Sequence, residues 1–323
     1  MLITLPVCVL LQACGDDSST PSGGGGAGGT TASTGGAYDG GGTGDPTIVV
    51  GAFEIELDET EAPTIVGKVS DGPTPAQVVW EVASQSGDCT LMKPRVPFCS
   101  TSCGGSAACV EDETCQAYPT ARSLGDVTVS GVSTTAGDTS VTMSPVAATY
   151  QVPAGTTLAD PPFTAGDPIQ LTTEGGYFSP FTIDAVGIEA LTVSATSYDL
   201  ARDTDLLLDW DASADSQASI HIKLDISHHG GTKGMIECDV ADSGAATIDA
   251  VLVNALLDLG VAGYPTIVLT RQYVGSATIE VGRVDLRVTS DIERPVVIDG
   301  LLSCTDDSEC TPPATCQTDL TCQ

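Results

Sequence analysis

The spacing of cysteine limits this fold more than any other feature of the chain. Cys99, Cys103, Cys109 and Cys115 form one run, and Cys304, Cys310, Cys316 and Cys322 form another at the end. The six-residue step through Cys103, Cys109 and Cys115 recurs throughout the second run, and both runs end in Cys-Gln. Segments this rich in Gly, Ser, Thr and Pro cannot enclose a hydrophobic core, so cross-links have to hold them. We read the two runs as copies of one disulfide module. Neither has the Cys-x-x-Cys pairs of zinc ribbons and redox sites, which favours disulfides over a metal. Parity then leaves Cys89 and Cys238 to bond each other, a staple worth roughly 4–5 kcal/mol through chain entropy. Within each module, first-to-third and second-to-fourth pairing is expected. The other two connectivities remain open from spacing alone.

Ten of the twelve cysteines follow Cys14, which suits an oxidising compartment. Forty-three acidic residues against eleven basic ones give a net charge of −32. Such a chain repels phosphate backbones, which excludes nucleic acid as a partner and leaves neutral glycans, cations and other proteins. Aromatic residues make up only 4% while Val, Ile, Thr, Ser and Gly abound, a balance that favours strands and turns.

Alternation bears this out segment by segment. Phe53–Leu57, Pro63–Val69 and Gln77–Ala83 read as strands, with Asp71-Gly72-Pro73 a turn. After Gly125 the same pattern recurs at Val127–Val132, Ser140–Met143, Ile169–Thr172, Ala190–Ser194, Asp205–Asp211, Ser219–Ser227, Met235–Val240, Thr266–Thr270, Thr278–Val281 and Val284–Val288. One stretch departs from it. Ile248, Val251, Leu252, Ala255, Leu256 and Leu259 share a helical face, with Thr247 as cap and Gly260 as stop. The expected fold is mainly β, a β-sandwich-like body with one short helix and two small disulfide-rich modules. Its parts would be a signal peptide at 1–14, a Gly/Ser/Thr stalk at 15–46 and a β segment at 47–88. A cysteine-rich module at 89–122, a sandwich-like domain at 123–302 and a closing module at 303–323 would follow. The stalk has too little apolar surface to offset its ordering entropy and would span about 30 Å as a Gly-rich coil.

Candidate chemistry is sparse. On the strand around Leu206, Leu208 and Trp210, the alternate residues Asp205, Asp209 and Asp211 face the other way, with Asp203 and Asp215 nearby. Carboxylates on one face are hard ligands that could hold calcium, and a solvated acidic face is the plainer reading. His221 falls on the outer side of its strand with Lys223 and Asp225, while His228-His229-Gly230-Gly231 reads as a hairpin turn. A zinc or copper site from that pair and Asp225 would lack a completing cluster. No serine elbow, metalloprotease helix or phosphate loop is present. A glycosidase-like carboxylate pair is conceivable among so many acids. Trp80, Trp210, Tyr177, Phe178 and Phe181 are the few aromatic residues that could line a sugar cleft.

Leu11-Gln12-Ala13-Cys14 closes an apolar run that begins at Met1, and Gly15-Asp16-Asp17 ends the hydrophobicity at once. This resembles the lipobox of bacterial lipoproteins, whose cysteine thiol carries the lipid, so the resemblance implies a lipidated Cys14. Gly15 in place of the aspartate that favours inner-membrane retention implies an outer-membrane or cell-surface location. Met1–Ala13 is short and lacks Lys and Arg, which places the expected start of the reading frame upstream. Gly72-Pro73-Thr74-Pro75, Gly87-Asp88-Cys89, Pro94–Cys99 and the closing module together resemble uncharacterised cysteine-rich bacterial envelope lipoproteins. That resemblance implies no activity. The expected role is binding, adhesion or structure at the envelope, without catalysis and without a cofactor unless calcium binds. The alternatives are an exported polysaccharide hydrolase using paired carboxylates and a calcium-stabilised scaffold.

Overall fold

The computed structural model describes residues 44–323 apart from Gln77, Asp215 and Ser216, so Cys14 and most of the expected stalk lie outside the described residues. In chain order the first strands are β1 Val49–Asp58, β2 Thr64–Val69, β3 Val79–Ser86, β4 Cys89–Arg95, β5 Ala107–Glu111 and β6 Thr114–Ala117. There follow β7 Val127–Ser130, β8 Ser140–Met143, β9 Thr149–Gln151, β10 Pro168–Thr173, β11 Thr182–Val186, β12 Tyr198–Leu200 and β13 Leu206–Asp209. The last are β14 Ser219–Asp225, β15 Met235–Ala241, β16 Ala245–Ile248, helix α1 Ala250–Leu257, β17 Thr266–Ile279 and β18 Gly282–Ile298.

The fold is mainly β, a sandwich-like body with, among the described residues, one short α-helix and disulfide-rich modules. A ten-stranded sheet runs β3-β4-β15-β14-β17-β18-β1-β2-β9, and β12 joins the far end of β18. Four strands, β11-β10-β7-β8, form a second sheet. Their inward residues make one core, in which Phe53, Ile55 and Ile65 meet Val129, Leu171, Ile183 and Met143. Gly275 allows this approach, because a Cβ there would run into the carbonyl of Asp184. The other half of the large sheet builds a second core with β13, β16 and α1, where Ile222, Leu224, Ile236 and Leu269 meet Leu208, Leu252 and Leu256.

The hairpin of β17 and β18 serves both cores. Ile279, Val284 and Leu286 enter the first, whereas Ile267, Leu269 and Ile292 enter the second. Between them stand Arg271 and its cross-strand neighbour Ser290, both buried. Arg271 Nε donates to Asp242 Oδ2 at 2.7 Å, and its other nitrogens reach the carbonyls of Glu189, Ala190 and Asp211. Trp210 Nε1 donates to Asp242 Oδ1 at 2.7 Å, and Leu191 N–H donates to Ser290 Oγ at 2.9 Å. A buried guanidinium is tolerable because its donors are satisfied; losing one partner of such a pair costs about 3–5 kcal/mol.

Three expectations are corrected here. Ala190–Ser194, with Leu191 and Val193 buried, is no strand. The carbonyls of Ala190 and Val193 go to Arg271 and Arg294 and that of Thr192 accepts the Asp211 N–H, so alternation there reports burial without a strand ladder. Thr247 lies on β16, and α1 begins at Ala250 after Asp249. Its buried face is Leu252, Val253, Leu256 and Leu257, which leaves Val251 73% exposed. The three short strands expected between Thr266 and Val288 are two long ones, with Glu280 and Val281 as their turn. Arg271, Gly275 and Ser290 look like interruptions in sequence and are instead the contacts that join the layers.

Candidate functional surface

The acidic strand is polarised as its sequence indicates, with Leu206, Leu208 and Trp210 buried and Asp205, Asp209 and Asp211 exposed. Asp205 and the preceding Asp203 serve the helix. Asp205 Oδ1 accepts the Ala250 N–H at 2.8 Å, and Asp203 exchanges two bonds with the Asn254 side chain at 2.9 and 3.0 Å. Asp205 thus supplies the N-terminal cap that Asp249, whose side chain bonds Ser86 Oγ, does not. Among the described residues, no three carboxylates bring their oxygens within 4.8 Å of one another. Asp215 lies outside the described residues.

The histidines are apart from one another in role. Asp225 Oδ1 accepts from Ser227 N and Oγ at 2.7 and 3.0 Å and so closes the start of the loop that leads to β15. The His228 and His229 rings lie 3.9 Å apart, tilted at 53°, in that loop, and the His228 carbonyl accepts the Tyr264 N–H at 2.8 Å. His221 lies on the outer face, where Nδ1 meets Asp239 Oδ1 at 2.9 Å. Burial works against the charged imidazole, but the Asp239 bond and the carboxylates of Asp239 and Glu237 outweigh it and raise its pKa. Burial pushes the Glu237 carboxyl up as well. Register puts Lys223 beside Glu237 and His221 beside Asp239, two rows of one flat face.

The aromatic residues do not converge. Trp210, Phe178 and Phe181 are buried, Trp80 lies on β3, and Tyr177 is exposed beneath Arg122 at 4.3 Å. A shallow cleft of about 310 Å³ lies between Ser86–Cys89 and Val240–Thr247, lined mainly by small and polar side chains. Asp88 and Asp249 are its acids.

The disulfides give the molecule its most distinct surfaces. Cys89 bonds Cys238 across paired strands inside the second core. Cys99 bonds Cys109 and Cys103 bonds Cys115, while Cys304 bonds Cys316 and Cys310 bonds Cys322. In both modules, then, first joins third and second joins fourth. The close sulfur groups in each module are these bonded cysteines.

The first module projects beside the end of the large sheet. Arg95 ties it there, with Nε 3.1 Å from Glu81 on β3 and Nη1 3.3 Å from Asp112, whose Oδ1 also accepts the Phe98 N–H at 2.9 Å. At its exit, Asp71 accepts from Thr120 N–H and from Arg122. These bonds, the first above all, hold its carboxyl below the ordinary range. Val96 is 89% exposed and Phe98 69%, and the fifteen residues 96–110 contain no charged side chain in a chain carrying −32. Interfaces concentrate aromatic groups and shed charge in this way. Charge depletion over 96–110 is readable in the sequence.

No protein family and no curated protein matches the chain. Among solved structures, a two-domain fibronectin type-III segment of chicken tenascin aligns at 11% identity over 67% of this chain and 98% of that one, with a TM-score of 0.19. A likeness at that score carries no argument, and the architecture rests on the sheets described above. Among the described residues no helix is long and apolar enough to cross a membrane.

Proposed function

We propose that this chain is a lipid-anchored protein of the bacterial cell envelope that binds a partner or supports structure, and that it is not an enzyme. Cys14 would carry the lipid, residues 15–46 would act as the stalk, and Gly15 favours the outer membrane or cell surface. Five disulfides among the described residues support an oxidising compartment. The observation that carries the binding role is the exposure of Val96 and Phe98, within a segment free of charged residues, on a cross-linked support. Rigid presentation reduces the entropy lost on binding. A second reading, hydrolysis of polysaccharide, draws on Glu237, whose raised pKa suits a general acid, with Asp239 two residues away on the same face.

Two measurements test this reading. Cys14→Ser should move the protein from the membrane to the soluble fraction of a Gram-negative host. The immobilised chain should retain a ligand from a panel of glycans and purified envelope proteins, and Phe98→Ser should abolish that retention. Turnover of a polysaccharide that stops with Glu237→Gln would overturn the non-enzymatic assignment.

A further inference from the structure

We propose that the first cysteine module receives a lysine- or arginine-bearing segment of a partner protein, with its cationic heads at Glu111, Asp112 and Glu113 and its apolar groups against Val96 and Phe98. The inference rests on the reading of Val96 and Phe98 as a binding surface and names the chemistry of the partner.

The terminal strand of the large sheet, β3, pairs β4 only as far as Arg95, so Val96 and Phe98 run on past the edge of the sheet. There the tip of the β5–β6 hairpin closes on them. Phe98 N–H donates to Asp112 Oδ1 at 2.9 Å, and the Phe98 carbonyl accepts the Glu113 N–H at 2.9 Å. Ser100 Oγ donates to Glu113 Oε2 at 2.8 Å, and its N–H lies 3.2 Å from both oxygens of that carboxylate. The Cys99–Cys109 bridge ties the same two segments together. An exposed ring is thus held by its own backbone beside exposed Glu111, Asp112 and Glu113, which are the only charged side chains between residues 96 and 118.

Hydrogen-bonding capacity decides the class of partner. Ionised carboxylates accept and cannot donate. The donors beside them are committed: Phe98 N–H to Asp112, Ser100 to Glu113, and Arg95 to Glu81 and Asp112 at 3.1 and 3.3 Å. A neutral glycan would need donors as well as acceptors. A second copy, itself at −32, or an anionic lipid surface would be repelled. Guanidinium and ammonium groups bring donors alone and the opposite charge. Their methylene stems can lie along an aromatic ring while the heads reach the carboxylates, and a cation over the ring adds its own attraction. Val96, 89% exposed, asks for an apolar neighbour as well, which a protein segment supplies and a free polyamine does not.

Fluorescence anisotropy of a labelled peptide of alternating arginine and leucine, titrated with the oxidised full chain at physiological salt, tests this. Phe98→Ser and Glu111→Gln/Glu113→Gln should each weaken binding by at least about tenfold, as should citrulline in place of the arginines. Glu189→Gln/Asp199→Asn removes two exposed carboxylates outside the module and should change it by less than about twofold. Glu111→Gln alone leaves the bonds at Phe98 and Ser100 in place and should still weaken it about threefold, which separates lost attraction from a disturbed module. A peptide that does not bind, that is weakened equally by the variant outside the module, or that ignores Phe98→Ser overturns the proposal. If it fails in one of these ways while the chain still retains a panel ligand that Phe98→Ser abolishes, only the cationic partner falls. If Phe98→Ser leaves that retention intact as well, the binding-surface reading falls with it.

Discussion

The two cysteine modules share one covalent design and differ in how they meet the body. The C-terminal module is built in. Cys304, Cys310 and Thr321 are buried, and Gly263 N–H donates to the Asp319 carbonyl at 2.7 Å while Ser303 Oγ donates to the Gly263 carbonyl at 2.6 Å. The loop carrying His228 and Gly230 packs against the same point. In the first module Cys99, Cys103 and Cys109 are half-buried and Cys115 is exposed, and the ties are side-chain bonds such as Arg95 to Asp112 and Gln116 to the Pro73 carbonyl. The same cross-link pattern therefore serves once to clamp a chain end and once to hold a surface in view. What separates the two uses is the surrounding contact, and the cysteine spacing is silent on it.

Removing a bridge from each module breaks the comparison most sharply. Cys304→Ala/Cys316→Ala should lower the stability of the body by about 3 kcal/mol, seen as a fall in its melting temperature. Cys103→Ala/Cys115→Ala opens a loop of the same length, 12 residues apart in each case. It should leave the body's melting temperature within about 1 °C and instead expose residues 96–118 to protease. Equal losses in both variants would show that the modules are equivalent after all.

Gly263→Ala probes the junction of the C-terminal module directly. Gly263 has φ +57°, and a Cβ there would strike the His228 carbonyl and the Gly230 backbone. The expected cost is about 1–3 kcal/mol in chemical denaturation. Phe98→Ser, on the exposed module, should change stability by less than about 0.5 kcal/mol while removing ligand retention.

The smallest expected effect is acid sensitivity. Asp306 accepts from the Ser308 side chain and backbone, which lowers its pKa below 3.8, and Asp71 at the exit of the first module is lowered in the same direction by Thr120 and Arg122. A depressed carboxyl pKa stabilises the folded form above the ordinary value and loses that contribution as pH falls through the folded one. Protection of the Ser308 and Thr120 amides, measured against their intrinsic exchange rates, should therefore fall in parallel below about pH 3.8. Asp306→Asn should remove the pH dependence at Ser308 alone.

Much of the body was legible because strand burial has a period of two. Ile220, Ile222 and Leu224, or Leu206 and Leu208, declare their face without knowledge of their partners. Three things were hidden for physical reasons. Alternation at Leu191 and Val193 cannot distinguish a paired strand from a segment whose carbonyls bond arginines. The face of α1 slipped because Asp205, distant in sequence, caps it after Asp249. The seam of Arg271, Asp242 and Ser290 was invisible because its members lie 19 to 48 residues apart and look like surface polar residues. Within the candidate surface, the cysteines were evident from sequence, while the exposure of Val96, Phe98 and the β3 edge depended on which strand came last in the sheet.

The placement of the β17–β18 hairpin has a further consequence, for the order in which the molecule is completed. Its strands lie in the middle of the large sheet and supply both cores, yet they come from residues 266–298. While the polypeptide is still growing, β1 waits more than two hundred residues for the parallel neighbour it pairs with, and β14 waits for β17. Neither half of the large sheet is complete until residues 266–298 have been made.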